Sequence, residues 1–430
     1  MQTKEYPQLN ETLYTETLEN GLQVVLLPKP DFNKTYALFG TDFGSIDQHF
    51  TPIGKSEPVN FPDGIAHFLE HKMFEKEDGD VFHEFSKYGA AANAFTSFTR
   101  TAYLFSTTHF VEENLKTLLD FVQAPYFTEK TVEKEKGIIA QEIGMYEDEA
   151  SFQLMMGILK NLYPDHPVHI DILGTVESIN QITADMLYDN YNTFYHPSNM
   201  TLLVVGQIEP EETMALIRSN QEAKDFPEAP TPNRIFPEEN LDEITAEETI
   251  HMPIQKPKVS LGIRGLRTNL TGGDALRYEI AMSLYMEMLL GPTSEAYLSL
   301  YDEGIIDDSY STEFLFERTF NTINVATDTK QPEEFKKRMK AILLEHQESP
   351  DINPEHFELI KRKTIGKVLQ ALNSLEYIAY QFMSKSYGEA TVFDFVPFLE
   401  EMTLEETIEV ANDYIREELL SVFTILPEES

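Results

Sequence analysis

Cysteine and tryptophan are both absent from this chain of 430 residues. Without cysteine there is no disulfide and no thiolate chemistry, so any metal must be held by His, Asp or Glu. The sequence also lacks a run of about eighteen apolar residues, so we expect no transmembrane helix and no membrane partner. Residues 1–8 contain no apolar core of the kind that a secretory signal needs. We therefore expect a cytoplasmic protein.

Positive charge is scarce, because 33 Lys and Arg residues stand against 73 Asp and Glu residues, a formal net charge of -40. A chain so acidic repels phosphate backbones, so we expect no nucleic-acid partner. Two interpretations of the acidity remain open. It is either a solvated acidic surface or an acidic cavity that attracts basic peptides.

What the chain does contain is typical of a globular protein, with 41% hydrophobic and 11% aromatic residues. Its length exceeds the size at which one core stops growing, which predicts at least two domains. Residues 183–206 and 403–426 share a threonine cap, a helix and a closing strand at an offset of 220, which indicates an internal duplication. A stretch rich in Pro and Glu separates the halves. We predict a first domain at 1–220, a linker at 221–245 and a homologous second domain at 246–430.

One short motif, His67-Phe-Leu-Glu70-His71, carries most of the chemistry. Histidines four residues apart stand one turn apart on one face of a helix, where two imidazoles can hold one metal ion. Glu70 lies on the same side and can act as a general base. This is H-x-x-E-H, the inverted form of the commoner zinc-protease motif. The plain alternative is a pair of structural helix histidines. Asp63 is the predicted N-cap of this helix.

A catalytic zinc needs a third protein ligand and an open position. Glu135 and Glu142 are seven residues apart and share a face of a second predicted helix, with Thr131 as a candidate cap. Glu142 is the preferred third ligand, and Glu135 would orient a histidine or the water. Three other acids stay open by composition: Glu133, Glu147 and Glu149. The alternative interpretation is that Glu135 and Glu142 are both surface charges without a role at a metal site.

Residues 89–106 have the composition of strands, with small side chains at the start. An edge strand there would let an extended peptide add itself through main-chain hydrogen bonds. The candidate substrate-binding residues are Asn93, Ala94, Phe95 and Thr96. The alternative is an ordinary sheet strand with Phe95 and Phe98 in the core.

Three segments together resemble the pitrilysin and insulin-degrading enzyme family, which includes the mitochondrial processing peptidases: residues 64–74, 93–103 and 135–143. The resemblance covers nearly the whole chain and matches short, two-domain bacterial members. It implies an α+β fold of two αβ-roll domains, each a mainly antiparallel sheet with helices packed on one face. It also implies one Zn²⁺ per chain. The implied roles are zinc ligation by His67, His71 and Glu142, general base catalysis by Glu70, and support of the site by Glu135.

One segment departs from the family pattern Leu-Arg-Glu-x-Gly-Leu-x-Tyr, whose arginine and tyrosine hold the substrate carbonyl. Here residues 300–307 place Tyr301 at the arginine position and Asp307 at the tyrosine position. The resemblance therefore implies a homologous partner subunit that supplies both groups, in a heterodimer, although a homodimer is also possible. The expected function is zinc-dependent endoproteolysis of short extended or leader-type peptides. The alternative is a non-catalytic or weakly active structural or binding subunit. A metal-dependent hydrolase of another substrate has no feature in its favour.

Overall fold

The computed structural model describes residues 1–238, 240–384 and 390–428. These form two compact units. The first unit contains Met1–Gly144, Ile170–Phe236 and a short segment that begins at Ala371. The second unit contains Met145–His169 and the remainder of the described chain. None of the described helices combines the length and hydropathy needed to cross a bilayer.

The first unit is built on a seven-stranded sheet. Its strands, with those of two small accessory sheets, are β1 (Gln2–Tyr6), β2 (Glu11–Thr17), β3 (Gln23–Pro28), β4 (Thr35–Thr41), β5 (His49–Thr51), β6 (Val59–Asn60), β7 (Glu75–Lys76), β8 (Gly79–Asp80), β9 (Ala91–Thr96), β10 (Thr101–Thr107), β11 (Met200–Gly206) and β12 (Asn233–Arg234). The helices of the first half of the chain are α1 (Ile65–Met73), α2 (Phe82–Lys87), α3 (Val111–Val122), α4 (Glu129–Glu147), α5 (Ala150–Leu162), α6 (Val176–Ile179), α7 (Ala184–Phe194) and α8 (Pro210–Glu222).

The second unit is built on a five-stranded sheet. Its strands are β13 (Glu247–Met252), β14 (Lys258–Arg264), β15 (Ser311–Phe316), β16 (Asn321–Asp328) and β17 (Leu420–Pro427). The helices of the second half of the chain are α9 (Gly272–Leu290), α10 (Glu295–Asp302), α11 (Pro332–Leu344), α12 (Pro354–Ala371), α13 (Leu375–Ser384), α14 (Phe395–Glu401) and α15 (Leu404–Tyr414).

Both sheets repeat one strand order, and the α+β class is confirmed. The first runs β1-β2-β3-β11-β4-β10-β9, and the second runs β13-β17-β14-β16-β15. In each, one parallel pair is followed by antiparallel pairs only. The two threonine caps of the duplication are present: Thr183 accepts from the Met186 N–H and Thr403 from the Glu406 N–H. The prediction of Thr131 as a cap is wrong, because α4 already begins at Glu129.

Two helices are exchanged between the halves of the chain. Helix α5, from the first half, packs on β14 and β17 of the second unit, whereas α13 packs on β4 and β11 of the first unit. The predicted domains at 1–220 and 246–430 are continuous, but each compact unit also takes one segment from the other half. The exchange explains why every residue of β4 is buried, since its two faces are both covered. Helices therefore lie on both faces of this sheet, with α13 opposite α1.

Glycine marks the same sheet position under each exchanged helix. Gly40 pairs with Thr201, and Gly262 pairs with Ser421, which follows Thr201 by the duplication offset of 220 residues. A Cβ atom on Gly40 would collide with the Met383 side chain. A Cβ on Gly262 would lie 2.6 Å from Ile158 and 2.7 Å from Leu162 of α5. A side chain at either position would hold the helix away from the sheet.

We expect Gly262→Val to destabilise the second unit by about 1–3 kcal/mol, although valine is otherwise favoured in strands, because it overpacks this contact. Urea unfolding followed by circular dichroism measures the change. Gly137→Ala on α4 is the control, since a Cβ there meets nothing within 4 Å. That variant should gain about 0.5–1 kcal/mol from the helix preference of alanine. Equal stability of Gly262→Val and the native chain would contradict the prediction.

Candidate metal centre

Helix α1 is fixed in place by the apolar core around it. Its apolar side chains are buried against the sheet and neighbouring helices. The chain enters the helix through Gly64 at φ 84°, and a side chain there would collide with the backbone of Leu173. Gly64 is the N-cap and no side chain caps the helix, so the prediction of Asp63 as N-cap is wrong. A glycine is needed at residue 64 because the Leu173 backbone approaches it so closely.

Helix α4 brings a carboxylate to the two histidines of α1. Glu142 Oε1 lies 3.8 Å from His67 Nε2, and Glu142 Oε2 lies 3.6 Å from His71 Nε2. One ligand atom from each of the three residues falls within 4.8 Å of the other two. The structure therefore brings together the three residues that the sequence proposed as ligands.

The spacing of these atoms fits a tetrahedral zinc site. At bond lengths of about 2.1 Å, neighbouring ligand atoms of such a site are about 3.4 Å apart. The observed distances are close to that value and too long for direct hydrogen bonds. Two imidazoles and one carboxylate also form a donor set that zinc accepts in catalytic sites. The residues present thus fit the ion.

Burial prepares His67 as a neutral ligand. It lowers the pKa of His67 to about 3, with a smaller contribution from His71. Its Nδ1 atom is buried without a hydrogen-bond partner among the described residues, which leaves the Nε2 side as the functional one. A neutral imidazole has the free electron pair that coordination requires.

His71 is held by the second predicted acid. Glu135 is buried, and its Oε1 lies 3.1 Å from His71 Nδ1. Burial acts to lower the pKa of His71, yet this hydrogen bond and the neighbouring carboxylates outweigh it, so the pKa is raised. A carboxylate in this position fixes the ring so that Nε2 points to Glu142. The other candidate acids lie elsewhere: Glu133 is exposed beside Lys136, and Glu149 caps α5.

Glu70 lies on α1 three residues after His67, and only 8% of its surface is exposed. Its Oε2 accepts a hydrogen bond of 2.6 Å from the Thr96 hydroxyl. Burial raises the pKa of Glu70 to about 7, although the Thr96 bond opposes the shift. A carboxyl group with such a pKa can both take up and return a proton near neutral pH.

Strand β9 is the edge of the seven-stranded sheet, as the substrate-binding hypothesis requires. Because Ser97 donates its N–H to Arg100 O, and bonded pairs alternate in an antiparallel ladder, the main-chain groups of Ala94 and Thr96 face the free edge. The Ala94 N–H is held by the Asn93 side chain at 2.9 Å. Phe98 is buried, whereas Phe95 is half-buried against Tyr380.

An open cavity of about 740 Å³ adjoins Glu70 and His71. Its apolar wall includes Phe74, Phe82 and Ile138, and Asn93 and Ala94 line another side. This apolar wall was not predicted from the sequence. The apolar Ile138, four residues before Glu142 on a helix rich in charged residues, was the available signal.

The segment that departs from the family pattern is acidic and internally bonded. The Tyr301 hydroxyl donates to Asp308 at 3.0 Å, and its ring stacks on Tyr297. Asp307 pairs with Lys256, and that hydrogen bond lowers the pKa of Asp307 to about 2. Neither side chain offers a cationic donor.

Fold and site together have the arrangement of a zinc-metallopeptidase class of protein, with the inverted motif on one helix and a candidate third ligand on another. Comparisons with known proteins agree. Residues 56–176 match the profile of the insulinase family, peptidase family M16, and residues 181–364 match the profile described as the peptidase M16 inactive domain. The chain belongs to peptidase family M16.

Individual relatives span the full chain. The sequence is 50% identical over 424 residues, 99% of each chain, to a Bacillus subtilis protein described as the uncharacterized zinc protease YmfH. The crystal structure of an M16-like peptidase from Alicyclobacillus acidocaldarius is 37% identical, covering 99% of this chain and 100% of that one, with a TM-score of 0.93. A Helicobacter pylori protease shares the fold, at 19% identity, coverage of 96% and 99%, and a TM-score of 0.82.

Proposed function

We propose that this chain is the zinc-binding subunit of a cytoplasmic endopeptidase that hydrolyses short extended or leader-type peptides. The observation that carries the proposal is the convergence of His67, His71 and Glu142 beside Glu70. The free edge of β9, next to the same residues, supports an extended peptide as substrate. The names of the relatives support the choice of zinc and of proteolysis.

The proposed chemistry uses one zinc ion per chain, held by the two histidines and Glu142. A zinc ion bound by these residues would supply a lowered pKa for a water molecule and polarisation of a carbonyl group. Glu70 takes a proton from the attacking water and passes it to the leaving amine. Glu135 keeps His71 oriented. Strand β9 holds the peptide through main-chain hydrogen bonds, so that its scissile carbonyl lies beside Glu70.

A homologous partner subunit completes the site in this proposal. The acidic segment with Tyr301 and Asp307 offers no cation to stabilise the negative charge that develops on the carbonyl oxygen. Loss of one such donor typically costs about 100- to 1,000-fold in rate. We infer a heterodimer in which the partner brings arginine and tyrosine, with a homodimer as the competing assembly.

A second function is favoured by the same segment. Tyr301 and Asp307, together with the match to a profile described as inactive, support a weakly active or structural subunit. The two functions differ in whether peptide hydrolysis reaches enzymatic rates once a partner is present.

The test is an assay of the purified chain with zinc against a quenched-fluorescent peptide library, alone and with a homologue that retains the arginine and tyrosine. We expect weak hydrolysis alone and a gain of about 100-fold or more with the partner. Strong activity of the lone monomer, with its mass measured by light scattering, would contradict the partner. No hydrolysis in any mixture would favour the structural subunit.

A further inference from the structure

Thr96 connects the free edge of the sheet to the general base. Its hydroxyl donates to Glu70 Oε2 at 2.6 Å. A threonine hydroxyl has a single proton, so that proton is committed to Glu70. Among the described residues, this is the side-chain hydrogen bond that Glu70 receives. The carboxylate is otherwise enclosed, so the bond decides where its oxygens point.

The neighbouring hydroxyl does not compete for this role. Thr101 Oγ1 lies 3.4 Å from Thr96 Oγ1 on the facing strand. It donates its own proton to Phe43 O at 2.9 Å. Thr101 therefore packs behind Thr96 and restricts its side chain without offering a proton to Glu70.

The main chain of Thr96 faces the other way. Thr96 and Thr101 form a non-hydrogen-bonded pair of the ladder, since the adjoining position bonds Ser97 to Arg100. The N–H and C=O of Thr96 are thus directed at the free edge of β9. One residue presents main-chain groups to an added strand and a side-chain proton to the base.

We propose that Thr96 is a positioning residue that aligns Glu70 and couples this alignment to the binding of an extended peptide on β9. The inference rests on the proposed peptidase function. A peptide that pairs with β9 restrains the backbone at Thr96, and through the short hydroxyl contact it restrains the Glu70 carboxylate. The substrate-binding role predicted for Thr96 concerns its main chain, and the new role concerns its side chain.

Two substitutions in the full chain, assayed with its partner, test the inference. Thr96→Val keeps the shape and removes the hydroxyl, and Thr96→Ser keeps the hydroxyl and removes the methyl group. We expect Thr96→Val to lower kcat about 10- to 100-fold with little change in KM and unchanged zinc content. Thr96→Ser should restore most of kcat. Equal losses in both variants, or full kcat in Thr96→Val, would overturn the proposal.

A crystal structure of each variant separates this inference from the proposed function. Glu70 should keep its rotamer in Thr96→Ser and leave it in Thr96→Val. An unmoved Glu70 carboxylate in Thr96→Val would overturn the positioning role whatever the activity. Native chain that cleaves no peptide with any partner would instead refute the peptidase function, and the Glu70 rotamers would still decide the role of Thr96.

Discussion

Glu70→Gln should abolish peptide hydrolysis while the chain keeps its zinc. Glutamine has nearly the same shape, and its carbonyl oxygen can still accept the Thr96 hydroxyl, so the site should remain folded. An amide cannot take up the proton of the attacking water. General base catalysis contributes about 100- to 10,000-fold, and we expect a loss of kcat of that order. Initial rates on a quenched peptide and zinc content by elemental analysis measure the two effects.

Glu133→Gln is a matched control for this change. Glu133 lies on α4, is exposed and pairs with Lys136, so its replacement should leave both activity and metal content unchanged. A Glu70→Gln chain that retains full activity would remove Glu70 from the mechanism. Loss of zinc from that variant would show instead that Glu70 supports the metal site.

The elements that carry the site follow from local periodicity. Histidines four residues apart and glutamates seven apart each define one helix face, and the structure places those faces against each other. Such features depend on spacing along the chain, which a single sequence displays.

The parts that escaped prediction depend on contacts between distant residues. Gly64 replaces Asp63 as the cap because Leu173, more than a hundred residues away, leaves no room for a side chain. The exchange of α5 and α13 depends on matching Gly40 and Gly262 to particular helices. The Thr96 hydroxyl meets Glu70 only through the register of β9 with β10. None of these pairings produces a periodic pattern in the amino-acid sequence.

The two duplicated halves differ in their metal-binding residues, and for this reason the described chain has one candidate site. Helix α9 follows β14 as α1 follows β4, but α9 has a mostly buried apolar surface and no histidine. Within the described residues, the cluster on α1 and α4 is the one group of suitable ligands. The second unit therefore retains the architecture without the donors.

The other large effect should follow from Glu142→Gln. The neutral amide removes the negative charge that faces both histidines at 3.6 and 3.8 Å, and amide oxygen is a poor zinc ligand. Loss of an outer carboxylate typically costs about 10- to 100-fold in metal affinity, and a direct ligand should cost more. We expect well below one zinc per chain after dialysis, and activity lost in proportion. Elemental analysis and a competition titration with a zinc chelator measure the change.

Glu147→Gln is the control, because Glu147 lies on the same helix, is exposed and was a competing candidate by composition. It should keep zinc and activity. If Glu147→Gln lost the metal and Glu142→Gln kept it, the third ligand would be assigned wrongly. If neither lost it, the two histidines would need a ligand from elsewhere. Because Glu142 is the residue that ties α4 to both histidines, its replacement tests the assembled site rather than the motif alone.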